Sequence, residues 1–153
     1  MKQKTILITG ATGFLGSFIT QELLEAGFSL KLLVRKTHDL QAKERVSEIF
    51  PLCYPSLFAD RTRVGRIEII EGDVSKKYLG LDTREYIRLA ETIDEVFHCA
   101  AATKFNDVHN TLTQTNVSGT ENVVHFCYTE KIKRLHYIST AYVAGKRRDV
   151  VYE

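Results

Sequence analysis

The chain has 153 residues, the size of one domain, and its 44% hydrophobic and 26% charged residues are the proportions of a soluble globular protein. A net charge of +2 is too small to argue for nucleic acid or a membrane surface, so the basic clusters at Arg61 to Arg66 and Lys146-Arg147-Arg148 read as solvated faces. Three cysteines (Cys53, Cys99 and Cys127) give no disulfide framework, and no Cys/His cluster has metal-ligand spacing. Cys99 and Cys127 sit among apolar residues and read as buried thiols.

Met1-Lys2-Gln3-Lys4 runs straight into a strand, leaving no room for a signal peptide, and no apolar run approaches the ~20 residues of a membrane span. The expected setting is a reducing cytoplasm. Thr5-Ile6-Leu7-Ile8-Thr9 is a continuously apolar, β-branched strand of the kind covered on both faces. A helix is expected from about Gly13 to Ala26, stopped by Gly27. Ser29 to Val34 reads as the second strand. The stretch 37–65 is the least regular. It holds one helix carrying Leu40, Val46, Ile49 and Phe50, ended by Pro51 and followed by a loop around Pro55.

Ile67 to Ile70 reads as a third strand, ending at Gly72-Asp73. A short helix is expected from Thr83 to Glu91, a fourth strand from Glu95 to Cys99, a long helix from about Asp107 to Thr129, and a fifth strand from Arg134 to Ser139. Strands alternating with helices imply a parallel sheet. Right-handed crossovers make it an α/β Rossmann-type doubly wound sheet of about five strands in order 3-2-1-4-5. Residues 1–153 are expected to form one nucleotide-binding domain. The chain stops 14 residues after the fifth strand (153 minus 139), so the C-terminal part of a full fold is expected to be missing and an uncovered sheet edge could self-associate.

Gly10-Ala11-Thr12-Gly13-Phe14-Leu15-Gly16 follows the first strand and opens the first helix. In a dinucleotide-binding loop the first glycine allows the tight turn, the second admits a pyrophosphate, and the third lets helix and strand pack closely. Phosphate charge would meet the free N–H groups and positive end of that helix. The second strand ends in Leu33-Val34-Arg35-Lys36. Arg35 lies 19 residues beyond Gly16 (35 minus 16), where an acid would bind a ribose 2′-hydroxyl. A guanidinium there suits a 2′-phosphate and favours NADP(H) over NAD(H). The Asp73 carboxylate, in Gly72-Asp73-Val74, can accept a hydrogen bond from an adenine amino group or serve as a helix cap or turn aspartate.

Taken together, these stretches resemble the extended short-chain dehydrogenase/reductase superfamily, and within it the thioester reductase branch that includes fatty acyl-CoA reductases. The resemblance continues through Val96-Phe97-His98-Cys99-Ala100-Ala101-Ala102-Thr103, Asn116-Val117-Ser118-Gly119-Thr120 and Ile138-Ser139-Thr140-Ala141-Tyr142-Val143-Ala144-Gly145. It implies that Gly10, Thr12, Gly13, Phe14, Leu15, Gly16, Arg35, Asp73 and Val74 bind the cofactor. It implies that Ala100, Ala101 and Ala102 line that cofactor and that Asn116 helps order the site. Thr140 would supply the catalytic hydroxyl that hydrogen-bonds a carbonyl oxygen as charge develops on it.

The superfamily's tyrosine and lysine, four residues apart on one helix, have no clear counterpart. Tyr142 and Lys146 have the spacing, but Tyr142 follows Thr140 by two residues at a strand mouth and Gly145 disfavours a helix, so the pair reads as a decoy. The resemblance implies the NADP(H)-binding portion of a reductase that passes hydride from NADPH to a fatty acyl or carrier-bound thioester, with the isolated chain lacking full activity. The alternatives are a non-catalytic NADP(H)-binding sensor or scaffold, and a sugar-nucleotide epimerase or another reductase of the same superfamily.

Overall fold

The computed structural model describes residues 3–55, 60–103, 110–129, 132, 134–140 and 145–152. Five strands, β1 (Thr5–Thr9), β2 (Ser29–Val34), β3 (Ile67–Glu71), β4 (Glu95–His98) and β5 (Arg134–Tyr137), form one parallel sheet in order β3-β2-β1-β4-β5. This is the expected order, and its switch point lies between β1 and β4, at whose C-terminal ends ligands of such sheets bind. β1 sits at the centre, pairing Ile8 with Leu32 on one side and Phe97 on the other.

The unbroken apolar run of β1 is explained by two half-cores. Ile6 and Ile8 face one side with Leu30, Leu32 and Val34, and are covered by helices α1 (Phe14–Glu25) and α2 (Ala42–Cys53) through Leu24, Val46 and Phe50. Leu7 faces the other side with Leu33 and Val96. It is covered by α4 (Thr83–Thr92) and α5 (Gly119–Thr129) through Leu89, Val123 and Phe126. Alternate side chains of a strand point to opposite faces, so a strand buried on both needs no polar position. Phe50 and Phe126, both fully buried, anchor the two half-cores. Truncating either to alanine removes about 3–5 kcal/mol.

Four expectations are corrected in detail. The helix after β2 starts at Ala42 and leaves out Leu40, which was expected within it, because Gln41 and Glu44 form a capping box while Leu40 closes a turn with Thr37. It also runs past Pro51 to Cys53. The buried Phe50 and Tyr54 hold that last turn, and Tyr54 N–H donates to the Phe50 carbonyl at 2.7 Å. A further helical turn, α3 (Arg61–Val64), forms where a loop was expected, started by Asp60, whose Oδ1 accepts from the Thr62 and Arg63 amides. Arg66 is more than a solvated cation: its Nη2 donates to the Leu24 carbonyl at 3.0 Å, near the C-terminal end of α1.

The strand ends are shorter than expected for one shared reason. β4 leaves the sheet after His98, whose register partner is Tyr137, so β5 loses its neighbour there and stops at Tyr137 instead of Ser139. The Cys99 amide makes a last bond to the Thr9 carbonyl, and the Ile138 amide a last bond to His98. The expected long helix is helical in the described residues from Thr111, with a π-helical stretch (Thr113–Ser118) running into α5. Asp107, its expected start, lies outside the described residues. α4 extends one residue beyond its expected end, to Thr92.

Candidate dinucleotide site

The C-terminal ends of β1, β2, β3 and β4 surround a cleft of about 220 Å³ lined by Gly10, Thr12, Gly13, Arg35, Arg45, Asp73, Val74, Ala100 and Ala101. Gly10 has a φ of 74° and lies so close to β4 that a Cβ there would stand 2.5 Å from the Ala100 nitrogen. A Cβ on Gly16 would lie 2.2 Å from the Gly10 carbonyl oxygen. Only hydrogen fits at either point, so the first turn of α1 seats directly on the end of β1.

α1 begins at Phe14 with Gly13 in the N-cap position, no side-chain cap and no acid in the first turn. The amides of its first turn have no intrahelical acceptors and carry the positive end of the helix dipole, and Gly13 at its start lines the cleft. Such an end fits an anion. Phe14 is 84% exposed and Leu15 is also exposed, so these two contribute backbone to the loop while their side chains face outward.

Arg35 is exposed at the end of β2. Beside it stands a residue the sequence reading did not select. Arg45, on the first turn of α2, donates from Nη1 to the Arg35 carbonyl and from Nη2 to the Thr12 hydroxyl at 3.1 Å. Desolvation, and then the charge of Arg35, lower the Arg45 pKa from its usual value. Among the described residues neither guanidinium has a carboxylate partner. Two unneutralised guanidiniums sharing one cleft wall are suited to a doubly charged phosphate. An adjoining cleft of about 410 Å³ continues past Arg35 along Lys36, His38, Asp73 and Lys76. The signal for Arg45 was present in Gln41-x-x-Glu44: a capping box there puts Arg45 on the first turn of the helix.

Asp73 does not cap a helix. Its Oδ1 accepts from the Ser75 amide and hydroxyl, an aspartate turn, and its own amide donates to the Leu79 carbonyl at 2.7 Å. Both side-chain bonds use Oδ1, and Asp73 lines the cleft, where its second carboxylate oxygen can accept from a ligand. Val74, just beyond, is buried in the second half-core.

Asn116 lies in the π-helical stretch, where such distortions often mark a site. It is not a surface asparagine. Its Oδ1 accepts from the Ala102 amide at 2.7 Å and its Nδ2 donates to the Ala102 carbonyl at 2.9 Å, pinning the loop that follows β4. Thr140 is exposed three residues past β5 (140 minus 137). Tyr142 lies outside the described residues. Gly145, between it and Lys146, has a φ of 63°, which is not helical. Cys99 and Cys127 are half-buried, not fully buried as expected, and burial pushes both thiols up to about 11. Neither is a ready nucleophile. Lys146, Arg147 and Arg148 are exposed, as a solvated cluster should be.

The sequence pattern of the NAD-binding family described as "Male sterility protein" matches residues 8–153. The chain belongs to this family. Isonitrile lipopeptide synthase of Mycobacterium tuberculosis is 37% identical over 147 residues, which are 93% of this chain and 6% of that protein. Carboxylic acid reductase of Mycobacterium marinum is 36% identical over 149 residues, 94% of this chain and 13% of that protein. The crystal structure of the terminal R domain from the myxalamid PKS-NRPS biosynthetic pathway superposes with a TM-score of 0.77 at 34% identity, covering 92% of this chain and 35% of that one. Fatty acyl-CoA reductases are also among the relatives of this male sterility family member.

The chain therefore spans a small share of its relatives' length. The resemblance to the thioester reductase branch, read from motifs, is borne out, as is the Rossmann-type sheet of a nicotinamide-dinucleotide-binding module. Among the described residues no helix is long and apolar enough to cross a membrane, and no cluster of His, Cys, Asp or Glu is placed to hold a metal ion.

Proposed function

We propose that residues 1–153 are the NADP(H)-binding domain of a reductase whose whole form passes hydride from NADPH to a fatty acyl or carrier-bound thioester. The observation that carries this reading is the pair Arg35 and Arg45 on the wall of the glycine-loop cleft. The uncapped amides of α1 hold the diphosphate, and the two guanidiniums hold the ribose 2′-phosphate. Asp73 accepts from the adenine amino group. Ala100, Ala101 and Ala102 leave room for the nicotinamide half beside Asn116. Bound NADPH supplies the hydride. Thr140 donates a hydrogen bond to the substrate carbonyl oxygen as it gains charge. The test is calorimetric titration of the purified chain with NADPH and with NADH, repeated on Arg35→Ala. Loss of NADPH affinity with NADH affinity unchanged is the expected result. Equal loss for both, or no binding of either by the wild-type chain, would overturn the assignment.

A binding module without turnover is the second reading, and the left-handed Gly145 favours it, because a residue at that φ just before Lys146 is not helical. NADPH oxidation on addition of an acyl thioester separates the two. Turnover by this chain refutes the module.

A further inference from the structure

We infer that His98 is a positioning residue: held as a single neutral tautomer between Thr9 and Thr120, it fixes the Ala100-to-Ala102 loop against the glycine turn. The inference rests on the reading of that cleft as a dinucleotide site, and it concerns a side chain that does not line the cleft. His98 ends β4 and is 1% exposed. Its Nδ1 lies 2.6 Å from the Thr9 hydroxyl and its Nε2 lies 3.2 Å from the Thr120 hydroxyl. The Tyr137 ring stacks on it at 5.6 Å.

The surrounding bonds decide the tautomer. The Thr120 hydroxyl spends its only proton on the Asn116 carbonyl, 2.8 Å away. Toward His98 it can then only accept, so Nε2 carries the ring proton. In the neutral ring Nδ1 is left as acceptor, and the Thr9 hydroxyl donates to it. The Thr9 oxygen in turn accepts from the Ala100 amide at 3.4 Å. Every donor in the chain meets an acceptor, from Ala100 through Thr9, His98 and Thr120 to Asn116. Burial holds the imidazole neutral, lowering its pKa to about 4. A fully satisfied buried chain of this kind specifies one arrangement, whereas a partly satisfied one does not.

One end of the chain reaches this loop directly, and the other ends on the backbone carbonyl of Asn116, whose side chain holds the same loop. One end holds Ala100 through Thr9, the residue before Gly10, whose backbone already abuts Ala100. The other holds Ala102 through the two side-chain bonds of Asn116. One imidazole therefore sets the spacing between the diphosphate turn and the loop expected beneath the nicotinamide. A change of its tautomer reverses both hydroxyls: Thr120 withdraws its proton from the Asn116 carbonyl, and the Thr9 hydroxyl loses the acceptor that fixes its direction beside Ala100.

The experiment uses ¹⁵N-labelled chain, Thr120→Val, which removes the hydroxyl at nearly constant volume, and Thr120→Ser, which keeps it. In the wild type the imidazole ¹⁵N spectrum is expected to show one neutral form protonated at Nε2 from about pH 6 to pH 8. In Thr120→Val the tautomers should exchange, and the Gly10, Ala100 and Ala102 amide resonances should move while those of β2 and β3 stay. The NADPH Kd should rise about tenfold with the NADPH-to-NADH preference unchanged. Thr120→Ser should restore all of these. A wild-type ring that exchanges between tautomers overturns the inference, as do unshifted Gly10, Ala100 and Ala102 resonances in Thr120→Val. If the wild-type chain binds neither coenzyme, the dinucleotide reading falls alone, and the spectra still decide the role of His98. If Thr120→Val does not fold, the wild-type ring spectrum and the Thr9→Val counterpart decide it.

Discussion

Arg45 reaches back from the first turn of α2 to the Thr12 hydroxyl, 3.1 Å away, and so ties the helix after β2 to the loop after β1. Because it also holds the Arg35 carbonyl, removing it costs both a charge and a support for its neighbour. A charge-assisted hydrogen bond is worth ~1.5–3 kcal/mol. Arg45→Ala is accordingly expected to weaken NADPH binding by roughly 10- to 100-fold and NADH binding by much less. The NADPH affinity lost should also shrink with rising salt, since two cations face one phosphate. Titrations of both coenzymes at two salt concentrations check this. An equal loss for NADH would mean that Arg45 only supports the loop.

Gly16 and Gly13 occupy the same loop but tolerate side chains unequally. A Cβ on Gly16 would penetrate the Gly10 carbonyl at 2.2 Å, whereas one on Gly13 meets the same oxygen at 3.3 Å. Gly16→Ala is expected to cost about 1–3 kcal/mol, because the helix must lift off the strand. It should abolish coenzyme binding, since the lifted helix no longer aims its amides at the turn. Gly13→Ala should melt within a few degrees of the wild type. Thermal unfolding of the two variants, without coenzyme, provides the measurement, and equal melting temperatures would contradict the packing argument.

The strand order and the glycine loop were legible in the sequence because each rests on local patterning: a doubly buried strand has no polar position, and the spacing of Gly10, Gly13 and Gly16 needs only the strand before and the helix after. Arg35 was legible as a strand-end residue. Arg45 was not, because its importance comes from a hydrogen bond 33 residues away and its helix was read as starting earlier and stopping at Pro51. Asn116 was named through family resemblance, but its clamp on Ala102 is a tertiary contact that no periodicity encodes. The ends of β4 and β5 were overextended for the same reason. A strand stops where its neighbour leaves, and His98 marks that point for both.

Glu95 lies at the opposite end of the sheet from the cleft and joins three strand regions. It accepts from Lys4 Nζ at 2.8 Å before β1 and from His136 Nε2 at 2.9 Å on β5. These two hydrogen bonds, Lys4 first, hold its pKa at about 2, below the ordinary 4.5. A carboxylate whose folded pKa is depressed stabilises the fold above its unfolded pKa, and that contribution disappears as pH falls through the folded value. The window of loss is therefore from about pH 5 down to about pH 2. Allowing for the half-exposed Lys4, the contribution at neutral pH is about 1–3 kcal/mol. Glu95→Gln should be less stable at pH 7 and flatter in its acid dependence. Urea unfolding at pH 7, 5 and 3 checks both, and parallel pH profiles for variant and wild type would remove Glu95 from the acid response.

The clamp between Asn116 and Ala102 predicts a different pattern from the arginine pair. Asn116 makes one bond as acceptor and one as donor to the same residue, and a carboxylate can make only the first. Asn116→Asp turns a negative oxygen toward the Ala102 carbonyl, so the loop must swing away from the π-helical stretch. The arginines stand on the β2 side of β1 and the clamp on the β4 side, with β1 between them. The variant should therefore weaken NADPH and NADH alike, by about tenfold each, and leave the ratio of the two affinities at the wild-type value. Arg35→Ala should move that ratio. Fluorescence titration of both coenzymes on both variants measures it, and a ratio that changes in Asn116→Asp would show that the loop after β4 reaches the 2′-phosphate pocket. Thermal melting without coenzyme should fall only slightly, because the clamp closes a loop whose neighbouring core residues, Val96 and Val123, stay packed in the second half-core.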